Sequence, residues 1–117
     1  MTTISSHVLD SVLGDHAKYI RIECVKISAD GSRKGLFNTV ANDQGRISET
    51  IEAAPDAHTR YELIFHSSEY FASRPDMPPS DQIMPEVIVR FLITNAKDRI
   101  HIPVMLSPHS YSTWWSA

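Results

Sequence analysis

Apolar and polar residues alternate along Tyr19-Ile-Arg-Ile-Glu-Cys-Val-Lys-Ile27, the two-residue period of a strand with one buried face. Tyr61-Glu-Leu-Ile-Phe-His66 alternates in the same way. Leu36 to Ala41 predicts another strand, Glu86 to Thr94 is rich in β-branched residues, and Ile100–Leu106 and Tyr111–Trp115 predict two more. Turn chemistry separates them. Ala29-Asp30-Gly31-Ser32 is one such break, and Asn42-Asp43-Gln44-Gly45 is another, just ahead of Arg46-Ile47-Ser48. Ser67-Ser-Glu-Tyr-Phe-Ala-Ser73 predicts the one short helix, opened by a serine cap. Residues 74–85 hold four prolines, which lack the backbone N–H that regular structure needs, so they predict a surface loop.

Short strands at near-even spacing with a single helix predict an all-β fold, an antiparallel β-sandwich spanning residues 1–117 as one domain. Charge narrows the possible partners. The net charge is −3 and no Lys/Arg cluster occurs, which argues against nucleic acid. Cys24 is the only cysteine, so no intrachain disulfide can form and a cytoplasmic setting is expected. Met1 to Ser6 lack the basic and apolar regions of a signal peptide, and no apolar run reaches membrane-spanning length.

The chemistry-bearing residues lie far apart in sequence. His7 in Ser6-His-Val-Leu-Asp10 and His101 in His101-Ile-Pro-Val-Met-Leu106 sit on strand-like segments near opposite ends. Arg46 follows the Asn42–Gly45 turn. Folding could assemble the three into one site. Imidazoles titrate near neutrality and can exchange protons with water. A guanidinium can hold an anion or stabilise oxyanion charge. A single histidine on a strand is more often a satisfied side chain than a catalytic one. The six histidines show neither H-x-x-x-H nor H-E-x-x-H spacing, so no metal is expected. No Gly-x-Ser-x-Gly elbow occurs, Ser107 precedes a proline, and Cys24 occupies an inward strand position, so water is the expected nucleophile.

Ser6-His7-Val8-Leu9-Asp10, Asp43-Gln44-Gly45-Arg46 and His101-Ile-Pro-Val-Met-Leu-Ser-Pro-His-Ser-Tyr-Ser-Thr113 occur in an order that resembles the transthyretin-like family. Within that family they resemble the 5-hydroxyisourate hydrolases. The resemblance implies two four-stranded sheets with the helix after the fifth strand. It also implies four subunits meeting through their C-terminal strands, a small-molecule substrate and no cofactor. It places His7, Arg46 and His101 as catalytic residues. Ser112, Thr113, Trp114 and Trp115 fall where the tail lines the substrate cleft.

The match breaks in the last four residues. The hydrolases usually end Tyr-Ser-Thr-Tyr-Arg-Gly-Ser, whereas Trp114-Trp115-Ser116-Ala117 follows Thr113 here. One cation and one hydroxyl give way to two indoles, which suit stacking. A second departure is Gly14-Asp15-His16-Ala17, where the family commonly has proline before the alanine; it is expected to change a turn more than a site. The 74–85 loop looks long for the family and could serve as a lid. Three functions follow. The first is hydrolysis of a urate-derived cyclic amide. The second is a repurposed site acting on a larger aromatic or polyketide-like substrate by hydrolysis, proton transfer or ring formation. The third is non-catalytic binding, which retention of both histidines and the arginine speaks against.

Overall fold

The computed structural model describes residues 1–53, 55–76, 82–94 and 98–117. In chain order its elements are β1 (Thr2–Asp10), β2 (Asp15–His16), β3 (Arg21–Ile27), β4 (Arg33–Val40) and β5 (Arg46–Ile51). Then come β6 (Arg60–Phe65), α1 (Ser67–Ala72), β7 (Val87–Phe91), β8 (Arg99–His101), β9 (Val104–Leu106) and β10 (Tyr111–Thr113). They form two sheets. The second runs β4-β3-β6-β7, all antiparallel neighbours.

The first sheet is organised around β1, which pairs antiparallel with β5 on one side. On its other side β1 pairs parallel with β8 and then with β9. β8 and β9 are one strand line interrupted at Ile102-Pro103: Ile102 N–H still donates to the Ser5 carbonyl, while Pro103 has no N–H to continue. β10 closes that side against β9. Counted by position, the first sheet is β5, β1, the β8/β9 line and β10, with the two-residue β2 folded back on the end of β1. Two layers four strands wide result, as expected. The β1–β8/β9 seam is parallel, because the first and last segments meet through the whole intervening chain and not through a hairpin.

Between the layers, Ile4 and Val8 of β1 join Ile22 and Cys24 of β3, Tyr61, Leu63 and Phe65 of β6, and Val104 and Leu106 of β9 in one buried cluster. Each large apolar side chain contributes roughly 1.5–3 kcal/mol through burial. The inward position read for Cys24 is correct, and burial pushes its thiol up to about 12. A polar knot closes one end. Asp10 is fully buried; its Oδ1 accepts from the Val12 and Leu13 N–H groups. Its Oδ2 accepts from Tyr70 OH and Arg74 Nη1, both at 2.7 Å. This ties β1 to α1 and to the start of the Pro-rich stretch, whose residues 77–81 lie outside those described.

Several expectations shift. The residue capping α1 is His66, which makes no side-chain cap bond; its imidazole turns instead to Glu23. A six-residue helix is too short to hold itself, so burial of Ser67, Tyr70 and Phe71 on one face fixes it. β3 begins at Arg21 because Tyr19 takes a left-handed φ of 64°. β7 ends at Phe91 and β10 at Thr113, so Trp114 and Trp115 lie beyond the last strand.

Candidate active site

Strand alternation places Thr3, Ser5 and His7 on the outer face of β1, since Ile4 and Val8 face the core. Register does the rest. His7 stands opposite Arg46 on β5, and Ser5 stands opposite both Ser48 on β5 and His101 on β8. His7, Arg46 and His101 therefore meet on one face across three adjacent strands. A pocket of about 190 Å³ opens there, lined by Ser5, Asn42, Arg46, Ser48, Arg99 and His101 among others. His7 is not part of that lining but stands next to it, opposite Arg46.

The turn before β5 aims Arg46. The Asn42 side-chain oxygen accepts from the Gln44 and Arg46 N–H groups at 2.9 and 3.0 Å, and Gly45 N–H donates to the Asn42 carbonyl. Gly45 has φ 69°, and a Cβ there would sit 2.4 Å from the Val8 carbonyl oxygen. Only glycine lets the turn press against β1 this closely. Val8 N–H donates to the Gly45 carbonyl at 2.8 Å and locks the contact.

Each histidine has a defined neighbour. His101 Nδ1 lies 2.8 Å from Ser5 Oγ, and that hydroxyl accepts from Arg99 Nε at 3.3 Å. The hydroxyl proton is then available to Nδ1, an arrangement that leaves the proton of neutral His101 on Nε2. His7 Nε2 lies 3.0 Å from Nδ1 of His16. Burial lowers the pKa of both site histidines, helped by Arg46 for each, by His16 and His101 for His7 and by Arg99 for His101. The lowered pKa favours the neutral form of both rings, the form able to take up a proton. Among the described residues no carboxylate forms an ion pair with Arg46 or Arg99. The pocket therefore presents fixed positive charge suited to an anion. Three or more His, Cys, Asp or Glu side chains do not gather in metal-holding geometry among the described residues.

The tail residues lie elsewhere. Trp114 and Trp115 line a separate cleft of about 460 Å³ against Val89, Phe91 and Leu92, with Thr113 also on its wall. Arg99 borders both this cleft and the smaller pocket. The tail is tied to the site through its backbone: His101 and Ser116 exchange two N–H···O bonds of 2.9 Å. Thr113 Oγ1 donates to the Pro103 carbonyl, and Ser112, opposite Met105, lines neither pocket.

A family model described as HIUase/Transthyretin matches residues 4–115. The chain belongs to the HIUase/Transthyretin family. A relative, 5-hydroxyisourate hydrolase 2 of Rhizobium meliloti, is 35% identical over 95% of this chain and 92% of its own length. Among solved structures, a 5-hydroxyisourate hydrolase of Klebsiella pneumoniae superposes with a TM-score of 0.74 at 29% identity, covering all of both chains. An (S)-allantoin synthase superposes with a TM-score of 0.82 at 29% identity, over 99% of this chain and 44% of that one.

Sequence reading missed Ser5, Asn42, Ser48 and Arg99. The signal was available for three of them: they stand two residues from His7, Arg46 and His101, on the same strand faces. It also missed His16. The departure at Gly14-Asp15-His16-Ala17 reaches the site directly, as well as altering a turn, because the folded-back β2 carries His16 onto His7.

Proposed function

We propose that this protein is a hydrolase of the 5-hydroxyisourate type, opening a cyclic amide of a urate-derived heterocycle with water. The observation that carries this reading is the meeting of His7, Arg46 and His101 on a face where Arg46 and Arg99 have no acidic ion-pair partner among the described residues. Arg46 and Arg99 hold the anionic ring and the oxyanion that forms as water adds to the carbonyl. A neutral imidazole takes the proton leaving that water, and a proton is returned to the departing nitrogen as the C–N bond breaks. The named activities of relatives similar over nearly the whole chain support the assignment.

The protein works in the cytoplasm as a homotetramer in this reading, with small molecules as its partners. In support, Tyr111, Trp114 and Trp115 leave large apolar surface exposed at the β10 end of the first sheet. Among the described residues no helix is long and apolar enough to cross a membrane. A second reading, a site turned to a larger aromatic or polyketide-like substrate, is favoured by the indole-lined cleft that shares Arg99 with the smaller pocket. In that reading Ser112, Thr113, Trp114 and Trp115 take part in substrate binding. Assays of His7→Ala, Arg46→Ala and His101→Ala on 5-hydroxyisourate made freshly from urate test the main proposal. Each variant is expected to lose on the order of 10²-fold or more in kcat/KM. Wild-type rates in all three would overturn it.

A further inference from the structure

We propose that His16 is a further working residue of this site: its imidazole holds His7 in one orientation and shares the proton that His7 takes up. The inference deepens the hydrolase reading and rests on it for the catalytic role of His7. The geometry is specific. β2 is only two residues long, and its register sets His16 opposite Leu9, two positions along β1 from His7 and on the same face. The Ala17 N–H donates to the Val8 carbonyl at 2.9 Å, and the Asp15 side chain accepts the His16 N–H at 2.7 Å, so the backbone around His16 is held at both sides. The rings then meet with centroids 5.1 Å apart at an interplanar angle of 41°, His7 Nε2 lying 3.0 Å from His16 Nδ1.

Two nitrogens at that distance share one hydrogen, so the tautomer of one ring sets the tautomer of the other. When both rings are neutral, the contact carries one N–H. A proton taken from water then charges the pair, with the other ring as acceptor inside the hydrogen bond. The water O–H bond breaks, the oxygen adds to the carbonyl carbon, and the pair carries the proton until the leaving nitrogen receives it. A freely turning imidazole would have to be oriented at each turnover; His16, together with a hydrogen bond from the His7 ring to the Gln44 backbone, removes that freedom. The other charged or titratable groups around the pair are Arg46 on β5, His101 on β8 and Asp15 beside His16. Arg46 and His101 oppose a positive charge on His7, so sharing it with a second ring is of most use here.

The test is a comparison of wild type, His16→Ala and His16→Asn, each checked for a wild-type unfolding temperature. In ¹⁵N-resolved imidazole spectra, which need no turnover, the His7 and His16 rings of the wild type should show coupling across their shared N–H, and the titration of His7 should depend on His16. In His16→Ala, His7 should titrate as a single independent group. On 5-hydroxyisourate, His16→Ala should lower kcat about 10- to 100-fold with KM within a factor of two, the scale of a lost orienting partner. His16→Asn, which keeps a hydrogen-bonding group near the Nδ1 position, should recover part of kcat and leave the acid limb of the pH profile displaced. Unchanged His7 titration in His16→Ala, or wild-type kcat and pH profile in that variant, would overturn the proposal. Loss of coupling in an enzyme whose His7→Ala variant is fully active would overturn instead the catalytic reading of His7.

Discussion

The two sheets carry the same kinds of charged side chain on their outer faces and use them in opposite ways. On the second sheet Arg21, Arg33 and Arg90 each have a carboxylate. Glu62 accepts from Arg33 at 2.7 Å and from Arg90 at 2.9 Å. Arg21 binds Glu69 at 3.0 Å and reaches Glu23, which also takes His66. On the first sheet Arg46, Arg99, His7 and His101 gather with serines and Asn42, and among the described residues neither arginine has an acidic ion-pair partner. The difference supports the proposed site. Paired charges contribute a modest amount to stability, whereas a cluster of unpaired cations costs stability and is retained where it serves a ligand.

The sharpest way to break this contrast is to give the first sheet its missing carboxylate. Ser48 lines the pocket opposite Ser5, so Ser48→Glu should pair with Arg46 or Arg99 and occupy the charge meant for substrate. A loss of about 10²- to 10³-fold in kcat/KM is expected, comparable with removing an oxyanion donor, while the unfolding temperature holds or rises. The mirror experiment removes a carboxylate from the second sheet. Glu62 is buried, and Glu62→Gln leaves Arg33 and Arg90 without their shared charge. About 1–3 kcal/mol of stability should go, with kcat/KM within a factor of two. Urea unfolding and steady-state rates on the two variants should thus separate cleanly; a large activity loss in Glu62→Gln would dissolve the distinction.

The sequence made the sandwich legible because alternation along β3 and β6 is regular and the turns carry glycine. It also pointed to His7, Arg46 and His101, since each stands on a strand or just after a turn in a recognisable order. What it could not supply is register. The placement of Ser5 against His101 depends on a parallel seam between segments 96 residues apart, and no local pattern encodes that pairing. The role of His16 was hidden for a related reason: a two-residue strand has no period to read, and only its fold-back onto β1 reveals the contact. Nor could the sequence show which cleft the tail lines: the indoles lie around the larger one, which shares Arg99 with the pocket of His101 and Arg46.

Acid titration sharpens the comparison further, since the two faces should fail in different pH windows. Burial lowers the pKa of His7 and His101 below the ordinary 6.5. Below that value the unfolded chain binds protons that the folded site resists, so stability falls as pH drops through 6.5 toward the folded pKa values. Burial opposes ionisation of Glu62, but the bonds from Arg33 and Arg90 outweigh it and hold its pKa below the ordinary 4.5. Its contribution is present above 4.5 and lost as pH falls through the lowered folded value. Thermal unfolding followed from pH 8 to 3 should show a shallow early decline that His101→Gln reduces and a later one that Glu62→Gln reduces. Identical curves for wild type and His101→Gln between pH 7 and 5 would contradict the depressed imidazole.

The smallest expected effect concerns the boundary between the two pockets. Replacing Trp114→Tyr, Trp115→Arg, Ser116→Gly and Ala117→Ser together restores a cation and, on balance, one hydroxyl to the tail. The indoles line the larger cleft and reach the smaller pocket only through the shared Arg99 and the backbone bridge from Ser116 to His101. Backbone bonds survive a change of side chain. The altered groups should therefore act on binding more than on the chemical step, lowering KM for 5-hydroxyisourate with little change in kcat. One charge-assisted hydrogen bond at the lower end of its range, about 1.5 kcal/mol, corresponds to roughly tenfold. Steady-state kinetics of the quadruple variant check this directly. A hundredfold rise in kcat at constant KM would instead place the tail side chains at the reacting atoms, and would favour a site whose native substrate is the larger aromatic one.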